Sequence, residues 1–177
     1  MFTIILIVAA LLIVALVILV NMQPTDFRIT RSRSIHAPAS VLFEQVDVLQ
    51  NWSAWSPFDR ADSDMKRTFA GPTSGVGASC SWDCPKSGAG SMTTIESRPN
   101  ELVRFDLHFT KPFKADNIAE FTFRPEGNAT LVTWSMIGKN NFFAKAFGLF
   151  VDCDKMVGGM FADGLKTMEE TRTGKHE

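Results

Sequence analysis

Tyrosine is missing from this chain altogether, beside fifteen phenylalanines and four tryptophans, so its aromatic surface is almost wholly apolar. Such side chains suit a packed core or a greasy pocket. Basic excess is missing too: the formal net charge is −1 and the isoelectric point near 6.3. With no block of like charge, the chain lacks the footprint that a phosphate backbone requires, which excludes nucleic acid as a partner. Cysteine is scarce, three residues in 177. An odd, sparse count makes no disulfide framework and fits a reducing compartment. Catalytic patterns are wanting as well. No serine sits in a nucleophile-elbow context, no glycine cluster follows a parallel strand as a phosphate cradle does, and no carboxylate pair is spaced along an apolar face. Whether the chain is an enzyme is therefore left open, and neither a cofactor nor a metal is expected.

Charge is also absent from Phe2 to Val20, and this absence carries information. As a helix rising 1.5 Å per residue the run reaches roughly 28 Å, close to the hydrocarbon thickness of a bilayer. No Lys or Arg precedes it and no A-x-A pattern follows, so an uncleaved transmembrane anchor is expected over residues 1–21, in place of a secretory signal. Residues 22–26, with Pro24, form a linker to one soluble domain at 27–172, and residues 173–177 a disordered tail. Arg28, Arg31 and Arg33 on the C-terminal side of the run favour a cytoplasmic domain. The glycosylation triplets Asn51-Trp52-Ser53 and Asn128-Ala129-Thr130 carry no weight if the domain stays inside.

Beyond the anchor, short strands dominate. Phe27 to His36 alternates as a strand, and Pro38 stops it. Ala39 to Val46 and Asp47 to Trp52 read as two short helices, followed by an aromatic loop through Phe58. Strands are expected at Met65–Ala70, Ala78–Cys84, Gly88–Ile95, Leu102–Phe109, Ile118–Arg124 and Thr130–Met136, with turns at Gly71–Gly77, Ser97–Asn100 and Glu126–Asn128. Val103, Phe105, Leu107 and Phe109 share one face of their strand. Ala119, Phe121 and Phe123 do the same on theirs, as do Val132, Trp134 and Met136 on the last. Gly138 to Phe150 is too dense in phenylalanine for a simple amphipathic face and reads as a short helix or lid. From Asp152 to Thr171, Met156, Met160, Phe161, Gly164, Leu165 and Met168 recur at spacings of three and four, the stripe of one long amphipathic helix. Its partner must be the sheet.

This order of elements resembles the polyketide cyclase/dehydrase-like proteins of the START-like, or SRPBCC, superfamily, over about Phe27 to Thr171. The residues that carry the resemblance are the Asn51–Phe58 stretch, Gly71-Pro72 with Gly75-Val76-Gly77-Ala78, Trp82, Gly88-Ala89-Gly90-Ser91-Met92, and Gly164-Leu165-Lys166. The chain departs from commoner members in its apolar first segment and in having Phe58 and Phe69 where Tyr or Trp is frequent. The resemblance implies an α+β helix-grip fold, a curved antiparallel sheet wrapped around a long C-terminal helix, with an apolar cavity between them for a lipid or other hydrophobic small molecule. Trp55, Phe58, Trp82, Phe105, Phe121, Trp134, Met156 and Met160 are then the candidate ligand-binding residues, the methionines because flexible thioethers adapt to variable shapes. Three functions follow as alternatives: a membrane-anchored binding module, a cyclase- or dehydratase-like enzyme using the same cavity, and a chaperone-like protein-binding domain with a filled core.

Other reactive side chains have plain structural readings. Cys80 and Cys84, four apart on an extended strand, stand roughly 13 Å from each other, too far for a disulfide. His108 and Asp106 share the strand face opposite the phenylalanines and so point outward, and His36 lies at a strand end. Gly158 and Gly159 in mid-helix cost roughly 1 kcal/mol each against alanine. Close packing or ligand access is the expected compensation.

Overall fold

A computed structural model describes residues 1–61, 65–84 and 88–173. Helix α1, Phe2–Met22, is apolar on every side and long enough to cross a membrane. Its side chains are exposed all round except Val20, the one buried position in the helix. Strand β1, Asp26–Ile35, begins after only three intervening residues. The linker is therefore Gln23–Thr25, shorter at both ends than the sequence suggests.

Seven antiparallel strands follow the alternating pattern: β1, β2 (Lys66–Ala70), β3 (Ser79–Cys84), β4 (Gly88–Arg98), β5 (Leu102–Lys111), β6 (Ala115–Glu126) and β7 (Ala129–Lys139). Their order is β1-β7-β6-β5-β4-β3-β2, a meander from β2 to β7 with β1 added beside β7. The register pairs Phe121 with Trp134 and Val103 with Phe121, so the phenylalanine faces of successive strands coincide. Register shifts between β4 and β5, next to Gly90 and Ile95, insert an unpaired residue and bend the sheet. One face is thus concave and apolar.

The helices lie as the resemblance implies, with local differences. Helix α2 is Ala39–Asp47, and the second short helix, expected at Asp47–Trp52, is a 3₁₀ helix over Leu49–Ala54. The stretch expected to be a loop through Phe58 is helical as well, since Pro57–Ala61 forms α3, with proline in the first turn where its missing N–H costs nothing. Helix α4, Phe142–Gly148, is capped by Asn141, whose side-chain oxygen accepts from the Ala144 N–H at 2.8 Å. Helix α5 runs Cys153–Thr173, with Asp152 accepting from Lys155 N–H at 3.0 Å. It extends to the start of the expected tail, whose residues 174–177 lie outside the described part.

The 3₁₀ helix fills the concave face. At three residues per turn Trp52 and Trp55 project on one side. Their indole N–H groups donate to Val46 O at 2.9 Å and Gln45 O at 3.0 Å, fixing both rings to the end of α2. Trp52 meets Phe105, Phe121 and Trp134 edge-on, while Trp134 stacks on Phe161 of α5 with centroids 4.0 Å apart. Edge-to-face and stacked pairs add roughly 0.5–1.5 kcal/mol each beyond area burial, so this cluster is the mechanical centre of the domain.

Candidate functional site

The region between sheet and α5 divides into two halves. The far half, away from α1, is solid: Phe161, Leu165 and Met168 are buried against the tryptophan and phenylalanine cluster. Gly164 belongs here, because an added Cβ would lie 2.9 Å from Pro57 and 3.0 Å from the Trp134 ring. The half nearer α1 is less covered. There the inward residues Phe27, Trp82, Phe109 and Met136 of the sheet, and Val157 and Met160 of α5, are only partly buried. Trp82 lies across Gly90, where a Cβ would sit 2.6 Å from its ring, and meets Phe109 edge-on at 5.8 Å.

The candidate residues therefore fall into distinct groups. Trp55, Phe105, Phe121 and Trp134 come together as fully buried core. Phe58 joins that core from the side, against Trp134 and Phe161. Trp82 and Met160 sit at the partly open half. Met156 is outside the stripe, 51% exposed. Five residues before Phe161, it is turned roughly 140° from that buried position at 3.6 residues per turn, whereas Met160 lies at the stripe's edge.

Three buried polar atoms point to unfinished business on the concave face. Thr94 Oγ1, Asn117 Oδ1 and Trp134 Nε1 have no hydrogen-bond partner. Native interiors pair nearly all such groups, and leaving one unpaired costs roughly 1–3 kcal/mol. Asn117 and the Phe27 ring fold over Gly138, where a Cβ would come within 1.9 Å of the amide oxygen and 2.8 Å of the ring. Thus a hydrogen-bond acceptor stands at the partly open, α1-proximal half.

Inward charges occur at both sheet edges, each already paired with a helix. Arg31 of β1 binds both carboxylate oxygens of Asp154, at 2.8 and 3.2 Å, and Arg33 binds Glu169. This arrangement raises the Arg31 pKa and holds the Asp154 carboxyl below its ordinary value, mainly through their hydrogen bond. At the other edge Arg67 of β2 pairs with Asp59 of α3, while the second Asp59 oxygen is buried without a partner. Burial pushes the Cys80 thiol up on the same inward face, partly offset by Arg67. Sequence reasoning missed Asn117, Arg67 and Asp59. Arg67 occupies an inward phase of its strand beside Phe69, the one signal that was available.

Two depressions, of about 230 and 260 Å³, lie at the far end: one beside Leu49, Phe69 and Pro72, the other beside Pro38, Pro125 and Asn128. Both fall below the roughly 300 Å³ of ordinary ligand sites, and neither separates the sheet from α5. On the concave face itself, Trp52 and Trp55 of the 3₁₀ helix pack together in the core. His108, as expected, is exposed, between Asp106 at 3.0 Å and Asp116 at 2.6 Å. Among the described residues no group of three potential metal ligands occurs.

A family model described as polyketide cyclase/dehydrase and lipid transport matches residues 26–171. No curated protein sequence matches the chain significantly. Among solved structures, the fold is similar to that of a Mesorhizobium loti protein at TM-score 0.62 and 14% identity, over 85% of this chain and 100% of that one. A Chromobacterium violaceum protein gives 0.60 at 15% identity, over 84% and 97% of the two chains. The Aha1 dimer of Colwellia psychrerythraea gives 0.59 at 13%, over 82% and 95%. These identities show a shared fold alone.

Proposed function

The chain belongs to the polyketide cyclase/dehydrase and lipid transport family, and from that premise we propose that it is a membrane-anchored binding module for a lipid or other hydrophobic small molecule. The ligand occupies the α1-proximal half of the space between sheet and α5. The observation that carries this reading is the unpartnered Asn117 oxygen among partly buried apolar side chains, which a hydroxyl or amide of an otherwise apolar guest would satisfy. A filled, chaperone-like core is the competing account, but a finished core pairs its buried polar atoms. Uptake then requires the first half of α5 to lift. Of the candidate residues, Trp82 and Met160 line this site, and Trp55, Phe105, Phe121 and Trp134 form its floor. Helix α1 crosses the bilayer and leaves residues 26–173 on the cytoplasmic side. Of the three arginines that follow the helix, Arg31 and Arg33 pair with α5, which leaves Arg28 to bias the orientation.

Native mass spectrometry of the full chain, extracted without added ligand, tests the reading. A bound lipid-sized adduct is expected, reduced by Asn117→Leu. No adduct, together with no uptake of a fluorescent fatty acid, overturns it.

A second reading, a cyclase- or dehydratase-like enzyme at the same site, is favoured by the inward Arg67–Asp59 pair with its free carboxylate oxygen. On this reading that oxygen exchanges a proton with the bound guest. Loss of one water from a hydrophobic β-hydroxy thioester on incubation, abolished in Asp59→Asn, is the expected signature. An unchanged thioester rules this reading out.

A further inference from the structure

Apolar side chains that a soluble domain would bury are instead gathered at one end of this one. Among the described residues after Met22, nine large apolar side chains are exposed, and six of them lie at the α1 end: Phe113, Phe142, Phe143, Phe147, Phe150 and Met156. Phe143, Phe147 and Phe150 recur at spacings of four and three, so they share the outer side of α4 and the turn that follows it. Phe113 is at the tip of the β5–β6 turn. The register places that turn at the same sheet end as the start of β1, since Asp26 pairs with Lys139, Gly138 with Asn117, and Ala115 with Phe109.

The tether decides what covers this surface. Between the end of α1 at Met22 and the start of β1 at Asp26, three residues reach at most about 10 Å. They are also fastened to the start of α4. Asn140 N–H donates to Thr25 O at 2.7 Å, its side-chain amide to Pro24 O at 3.3 Å, and the Lys145 ammonium to Thr25 Oγ1 at 2.9 Å. Helices α1 and α4 are in contact as well. A bilayer crossed by α1 thus lies within reach of the phenylalanines with no rearrangement. Residues 138–151 carry Lys139 and Lys145 and no acid, and Phe113 is flanked by Pro112 and Lys114. Phenylalanine beside lysine is the composition of a segment seated at the boundary of headgroups and acyl chains.

We propose that α4 and the β5–β6 turn form a second, interfacial membrane contact, so that the α1 end of the domain is seated on lipid and the half-open side of the site faces the bilayer. The proposal rests on α1 crossing the membrane. The closing experiment separates the two. The full chain in phosphatidylcholine nanodiscs is made with p-benzoylphenylalanine at one position at a time, Leu11, Phe113, Phe143 or Val76, the last exposed on the β2–β3 turn at the opposite end. After irradiation, lipid adducts are read by mass spectrometry. Adducts at Leu11, Phe113 and Phe143, with at least tenfold less at Val76, are expected. Adducts at Leu11 alone overturn the interfacial contact and leave the anchor standing. No adduct at Leu11 overturns the anchor and this proposal with it. Chain-to-chain crosslinks at Phe143 in place of lipid adducts overturn it in favour of a self-association face.

Discussion

Two adjacent glycines in α5 show how differently one residue type is used. A Cβ at Gly158 would lie 2.1 Å from the Arg31 guanidinium, so this glycine lets the arginine cross the helix to reach Asp154. Around Gly159 there is nothing within 4 Å. Gly159→Ala is therefore expected to stabilise the domain by roughly 1 kcal/mol in urea unfolding, the helix-propensity gain alone. In Gly158→Ala the same gain is set against expulsion of Arg31, and the telling readout is the Asp154 carboxyl. Its titration, depressed by Arg31, should move back up toward the ordinary carboxylate value, measured by carbon NMR. The linkage sign is definite: a depressed carboxyl contributes stability above its unfolded pKa and loses it as pH falls through the folded one. His108 has the opposite sense. Asp116, chiefly by hydrogen bonding, and Asp106 raise its pKa. Its contribution is full below the unfolded value and is lost as pH rises through the folded value. Asp116→Asn should lower the His108 midpoint in a proton NMR titration, and an unmoved midpoint would show that the pair does not persist in solution.

At the scale of elements, α5 separates what the sequence spells out from what it leaves unsaid. The spacing of Phe161, Gly164, Leu165 and Met168 fixes a buried stripe without help, because a 3.6-residue period is a strong signal. Met156 fits the same spacing, yet it is 51% exposed, since drift around the helix over five residues exceeds the width of the stripe. Phe161→Ala should accordingly cost roughly 3–5 kcal/mol of unfolding free energy, as deletion of a stacked core ring does. Met156→Ala should stay within about 0.5 kcal/mol. Similar losses at both positions would contradict the helix orientation. The strands were legible for the same reason as the stripe, period-two alternation with glycine-rich turns. The 3₁₀ character of the second short helix, and α3, were not, because Trp52, Trp55 and Phe58 show no period over so few residues and take their conformation from the sheet they fill. The chemistry of the site was least legible. Asn117 and Arg67 gain meaning only from the register that turns them inward.

For the whole molecule, the asymmetry of burial along α5 has a dynamic consequence. Packing against Trp134, Pro57 and the far half of the sheet ties residues 161–168 to the global core. The first turns of α5 have partly exposed apolar contacts and the exposed Arg31–Asp154 pair to hold them, and an exposed pair contributes only about 0–1 kcal/mol. Local opening draws on the least stable parts of a fold, so these turns can lift while the stack beneath stays formed. Hydrogen exchange on the full chain in nanodiscs should show amides 157–160 exchanging well before 165–170. Loading with a fluorescent fatty acid should slow exchange in the first set and leave the second unchanged, because the guest supplies contacts only where the interior is unfinished. Two results would sink this picture: exchange at one common rate along α5, or protection by the ligand confined to 161–168. Either would place the opening through α3 and the 3₁₀ helix, whose tryptophans would then have to leave the concave face before any guest could enter.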